Sequence, residues 1–71
     1  MCLAWFHIPD TGAVTEFKDL VLRDDALYEG HGTDLRDGHL EGFAIFTTKK
    51  RMESFAKRAS KHEFHMIGSV D

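Results

Sequence analysis

The amino-acid sequence predicts an α+β domain: one four-stranded antiparallel sheet with two helices on one of its faces. Three neighbouring observations lead there. Residues 42–48, Gly-Phe-Ala-Ile-Phe-Thr-Thr, combine aromatic and β-branched residues without proline and read as a strand. Asp37-Gly38 shortly before them is a turn dipeptide, because glycine takes φ > 0 without penalty and aspartate tolerates it. After them, Lys49 to His62 sets Met52, Phe55, Ala56 and Ala59 on one apolar stripe at helical spacing. Thr47 or Thr48 is placed to cap that helix, its side-chain oxygen accepting an N–H of the first turn.

The remaining elements follow in chain order. Cys2 to Ile8 is short and apolar and reads as a largely buried strand, with Ala4, Phe6 and Ile8 on one face and Leu3, Trp5 and His7 on the other. Pro9-Asp10-Thr11-Gly12 ends it. Val14, Phe17, Leu20 and Val21 follow helical spacing. A strand over 14–22 is the alternative and fits less well, because Glu16, Lys18 and Asp19 break both of its faces. Asp24-Asp25 disfavours the helix C-terminus through the macrodipole, so the helix should stop at Leu22 or Arg23. Residues 26–33 read as a strand weakened by Gly30 and Gly32, which hint at a bulge. The turn at 33–38 folds it back on Leu40–Thr48 as a hairpin. In the second helix Lys61 and His62 fall in the last turn, where positive charge is favoured. Phe64 to Val70 supplies a last strand.

The order strand, helix, strand, strand, helix, strand is the split βαβ or ferredoxin-like arrangement, with right-handed crossovers. One sheet face is then covered by helices, and the other meets solvent or a partner. Phe6, Phe17, Leu20, Ala44, Phe46, Met52, Phe55 and Ala59 are the expected core.

Composition narrows the functional classes. At 71 residues the chain is one domain, residues 1–71, without room for a catalytic cleft between two domains. A lone cysteine, Cys2, excludes an internal disulfide and fits a reducing, cytoplasmic compartment; it reads as a small buried hydrophobe. No signal peptide or run of transmembrane length is apparent, so no membrane partner is expected. Net charge is −3 but uneven: residues 1–46 carry three basic against nine acidic residues, residues 47–71 six against three. The acidic majority argues against general nucleic-acid binding, while the basic C-terminal part leaves room for one local anionic contact.

The run Glu41-Gly-Phe-Ala-Ile-Phe-Thr-Thr48 resembles the third-strand pattern of the RNA-recognition-motif family: basic, Gly, aromatic, Gly/Ala, aromatic, aliphatic, any, aromatic. Gly42, Phe43 and Ala44 match, and Phe46 is apolar where the family is aliphatic. Three positions depart: Glu41 is acidic where a base contacts phosphate, Ile45 replaces a stacking aromatic, and Thr48 replaces the final aromatic. Asp34-Leu-Arg-Asp-Gly-His39 looks like the family's second hairpin turn, and Trp5 falls near its first-strand stacking position. The resemblance spans most of the chain in topology but only some eight residues in motif, and it implies single-stranded RNA binding. Fold alone does not carry that function.

Alternation places Trp5, His7, Phe43 and Ile45 on the open face, with Tyr28 as a further candidate contact. Such a face can stack bases, anchor a protein or hold a homodimer together, and a partner anchor or self-association ranks above base stacking. Lys50, Lys57, Arg58 and Lys61 form a possible anion contact, although a solvated helix face is the commoner outcome of such a pattern. His62-x-x-His65 has zinc-like spacing, but Cys2, His7, His31 and His39 are scattered and no metal is expected. His31 and His39 flank the hairpin loop and should be exposed. No catalytic signature is present, and Asp10, after Pro9, is only a faint echo of the acid that ferredoxin-like nucleases place at the end of their first strand. The sequence therefore points to a cofactor-free, non-catalytic module that regulates or inhibits a macromolecular partner, with a protein favoured. Small acidic domains of this kind often act so, including those encoded by phage. The alternative is an RNA-recognition-motif-like binder of single-stranded RNA.

Overall fold

A computed structural model describes residues 1–24, 26, 28–33 and 39–71, with residues 28 and 29 described by their backbone only. Of the hairpin turn expected at 33–38, residues 34–38 lie outside the described residues and Thr33 is still strand; of the strand expected over 26–33, Ala26 is outside the strand and residue 27 lies outside the described residues. Six main elements follow in the order β1 (Cys2–Ile8), α1 (Val14–Arg23), β2 (Tyr28–Thr33), β3 (Leu40–Phe46), α2 (Lys49–Ser60) and β4 (Met66–Val70). A 3-10 turn, Thr11–Ala13, leads into α1. The four strands form one antiparallel sheet in the order β2-β3-β1-β4, the ferredoxin-like arrangement.

Local chemistry sets the boundaries. Asp10 starts the 3-10 turn by accepting a hydrogen bond from the Ala13 N–H through Oδ1, at 3.0 Å. Residues 14–23 are therefore a helix, and Glu16, Lys18 and Asp19 lie off its buried side, which Phe17, Leu20 and Val21 form. Thr48 caps α2, its Oγ1 accepting from the Arg51 N–H at 3.2 Å. The expected strand to Thr48 is shorter by two residues, because that cap draws the chain out of β3 after Phe46.

Helix α2 also ends earlier than His62. Glu63 takes φ 68°, the Phe64 N–H donates to the Ala59 carbonyl at 3.0 Å, and the Glu63 N–H donates to the Ser60 carbonyl at 3.2 Å. This paired-bond stop is a Schellman motif with glutamate at the left-handed position. It turns Phe64 inwards, and Phe64 becomes a fully buried core residue ahead of β4 instead of the first residue of that strand.

The core lies between the sheet and the two helices. All eight expected core residues are buried, joined by Cys2, Ala4, Ile8, Val21 and Phe64. Phe6, Phe17, Phe46, Phe55 and Phe64 form its centre, with edge-on contacts between Phe6 and Phe55 (5.2 Å between centroids) and between Phe17 and Phe64 (5.4 Å). No buried residue among those described is polar or charged. Gly42 of β3 faces this core, and the Phe17 ring packs directly over it where a Cβ would stand.

Candidate functional site on the open face of the sheet

Strand alternation divides β1 and β3 cleanly. Cys2, Ala4, Phe6, Ile8, Gly42, Ala44 and Phe46 are buried under the helices, while Leu3, Trp5, His7, Glu41, Phe43 and Ile45 are half-buried on the other face. Antiparallel register arranges these outer residues in rows across the strands. In the middle row Gly30 of β2 stands opposite Phe43, Phe43 opposite Trp5, and Trp5 opposite Gly68 of β4. One flanking row holds Tyr28, Ile45, Leu3 and Val70, and the other holds Gly32, Glu41 and His7.

The middle row gives the face its shape. A Cβ on Gly68 would come within 2.5 Å of Cζ2 of Trp5, and a Cβ on Gly30 within 2.6 Å of Cζ of Phe43. Each aromatic ring on a central strand thus lies over the glycine of the adjacent edge strand. The rings lie down on the glycine backbone instead of standing off the sheet, and Trp5 and Phe43 are both half-buried. The outcome is a low aromatic surface whose rings are seated on glycine backbone. Glycines 30 and 68 weaken their strands intrinsically, and the covering rings offset that weakness.

At one end of this surface His39 Nε2 hydrogen-bonds Glu41 Oε1 at 2.8 Å, and the His39 and His7 rings lie 5.9 Å apart. His39 is therefore half-buried against the sheet, contrary to the expectation of an exposed loop histidine, because Glu41 draws it in. His31 is exposed as expected. The Tyr28 backbone pairs with Ile45, and its side chain lies outside the described residues. Compared with protein-family models, curated proteins and solved structures, the chain matches none.

The other candidates lie apart from this face. Lys50, Lys57 and Lys61 are exposed on and just after α2, behind the sheet. Arg58 differs from its neighbours: its Nη1 pairs with Oδ1 of Asp24 just past the end of α1, so it serves as a tie between helices. Asp10 is occupied as the cap described above. His62 pairs through Nδ1 with Glu16 Oε1 at 2.9 Å, which directs it towards α1 and away from His65, whose carbonyl accepts from the His7 N–H. Among the described residues no cluster of three or more His, Cys, Asp or Glu is arranged to hold a metal ion. Cys2 is buried. No helix is long and apolar enough to cross a membrane. A shallow hollow at the start of α2 is lined by Asp24, Thr48, Lys50, Arg51 and Ser54 and shares no residue with the sheet face.

Sequence reasoning found the aromatic members of the open face but not the glycines that seat them. Their signal is a glycine directly opposite an aromatic across two strands, and it becomes readable only once the register is known.

Proposed function

We propose that this chain is a small non-catalytic regulatory or inhibitory module that docks onto a macromolecular partner, a protein, through the open sheet face. The observation that carries the reading is the Gly30–Phe43–Trp5–Gly68 row. Two aromatic side chains held over backbone offer apolar area with little rotamer freedom left to lose on association. Tryptophan and other aromatics anchored in this way are what dominate protein–protein hot spots. Leu3, Ile45 and Val70 extend the apolar area on one side, and His7 and the His39–Glu41 pair give it a polar rim.

The same flat rings are what keeps a second reading alive. The third-strand run with Gly42, Phe43 and Ala44 resembles the RNA-recognition motif, and its face would stack bases of single-stranded RNA. Charge weighs against it. Glu41 stands where that family presents a base, and Lys50, Lys57 and Lys61 are borne by the helical side, away from the rings. An RNA complex needs phosphate neutralisation beside the stacked bases.

The test uses Trp5, the single tryptophan of the chain, as its reporter. Its fluorescence is followed while single-stranded oligoribonucleotides of varied sequence are added at physiological salt. The expected result is weak, sequence-indifferent quenching that disappears as salt rises, and a measurable gain in affinity for Glu41→Lys. Tight, sequence-selective binding by the unmodified chain would overturn the protein-docking reading and put the RNA-binding reading in its place.

A further inference from the structure

The sheet has two edges, and they differ in chemistry. The β2 edge, Tyr-Glu-Gly-His-Gly-Thr, contains an acid and a histidine. The β4 edge, Met-Ile-Gly-Ser-Val, contains no charged residue, and Met66, Ile67 and Val70 are 43%, 48% and 56% exposed. Exposed apolar edge strands are templates for pairing with another strand, and natural proteins blunt them with charge, bulges or short length. Here charge is missing, while the other two devices are present. β4 has five residues, and its register with β1 slips between Trp5 and Phe6, so Ile67 is inserted between Met66 and Gly68.

Backbone directions along β4 can be read from its pairing. The His7 N–H donates to the His65 carbonyl at 2.8 Å, so the odd-numbered residues of β1 point their backbone groups at β4. Alternation then turns the groups of Val70 and Gly68, which stand opposite Leu3 and Trp5, towards β1, and leaves the N–H and C=O of Ser69 facing outwards. The free pairing groups thus sit at the centre of the regular stretch 68–70.

We infer that the β4 edge is a self-association site, at which two copies of this chain pair antiparallel about a two-fold axis through Ser69 to form one eight-stranded sheet. Three features point to a second copy as the occupant. A two-fold contact brings the same patch of both copies together, and here the uncharged strand brings no like charges together, although the whole chain carries −3. Pairing Ser69 with its counterpart sets Val70 opposite Gly68 of the second copy, the residue with no side chain, beside the Trp5 ring that lies over it. The inserted Ile67 stops regular pairing beyond this stretch, which favours a closed pair over open-ended stacking. The contact is smaller than the ~800 Å² per partner of a standard stable interface, so the association is weak and reversible. It runs along the edge of the sheet, where Gly68 and Val70 also border the open face, and it makes no use of Phe43.

Sedimentation of the full chain from micromolar to millimolar concentration tests this. The expected result is a reversible shift from the 8.1 kDa monomer to a species of twice that mass. Ser69→Pro removes the outward N–H without touching the ladder to β1 and should weaken the pair by ~tenfold or more. Ile67→Lys, which puts a charge on the edge at an exposed position, should do the same and covers the case in which the proline variant fails to fold. Phe43→Ala should leave the association unchanged. Amide exchange at Ser69 in the unmodified chain should slow as concentration rises. A monomer throughout the range, an association indifferent to both edge variants, or one lost with Phe43→Ala would each overturn the inference.

Discussion

Gly42 and Gly68 each lie under an aromatic ring, yet adding a methyl group should have different consequences at the two sites. The ring over Gly42 belongs to Phe17, which is fully buried among Phe6, Phe55 and Phe64 and has nowhere to go. Gly42→Ala should therefore cost ~1–3 kcal/mol by overpacking, read as a lower denaturation midpoint. The ring over Gly68 belongs to half-buried Trp5 and can lift towards solvent. Gly68→Ala should leave stability closer to that of the parent chain while shifting Trp5 emission to the red. Equal losses of stability at the two sites would show that the open-face ring is packed as tightly as the core. A further contrast concerns charge. Arg58→Ala leaves the Asp24 carboxylate, 15% exposed and with its Oδ2 buried and unpartnered among the described residues, without its ion pair. That should cost ~1–3 kcal/mol, whereas exposed Lys57→Ala should be near neutral in the same unfolding experiment. Arg58 looked like its lysine neighbours in the sequence, because its tie to Asp24 crosses 34 residues and no local pattern announces it.

The elements were largely legible because each carries a local signal, and the misreadings fall at the ends of elements. The stripe of Met52, Phe55 and Ala59, the threonine cap and the alternation of Cys2–Ile8 are short-range patterns, and α2 and β1 start where those patterns put them. The end of α2 was harder. Its stop uses Glu63 in the left-handed region instead of glycine, so the usual punctuation is missing from the sequence. A glutamate there costs backbone energy that glycine would not, after allowance for the greater freedom of glycine in the unfolded chain. Glu63→Gly should consequently raise stability by ~0.5–1 kcal/mol, measured by chemical denaturation. A loss instead would mean that the side chain contributes more than its backbone costs. Thr48→Ala at the other end of the same helix should lower stability by ~1 kcal/mol.

At the scale of the whole molecule, stability rests on one small core. A chain of 71 residues has a margin of ~4–10 kcal/mol. Phe55 contacts Phe6, Phe17 and Phe46. Phe55→Ala should cost ~3–5 kcal/mol, most of that margin, and a variant melting near the parent would contradict the packing of α2 on the sheet. The topology was readable because a fixed order of strands and helices leaves few right-handed, uncrossed solutions. The flat construction of the open face was not, because it depends on which residues stand opposite one another across three strand pairs. If that face is the docking surface, the most direct measurement is quantitative capture of proteins from extracts of the cells that make this chain. Nuclease-treated extract is passed over immobilised parent, Phe43→Ala and Lys57→Ala chains, each first shown to be folded. The expected outcome is at least one protein retained by the parent and by Lys57→Ala and depleted ~tenfold or more on Phe43→Ala. Retention that survives Phe43→Ala but is lost with Lys57→Ala would move the binding surface to the helical side and contradict docking through the sheet.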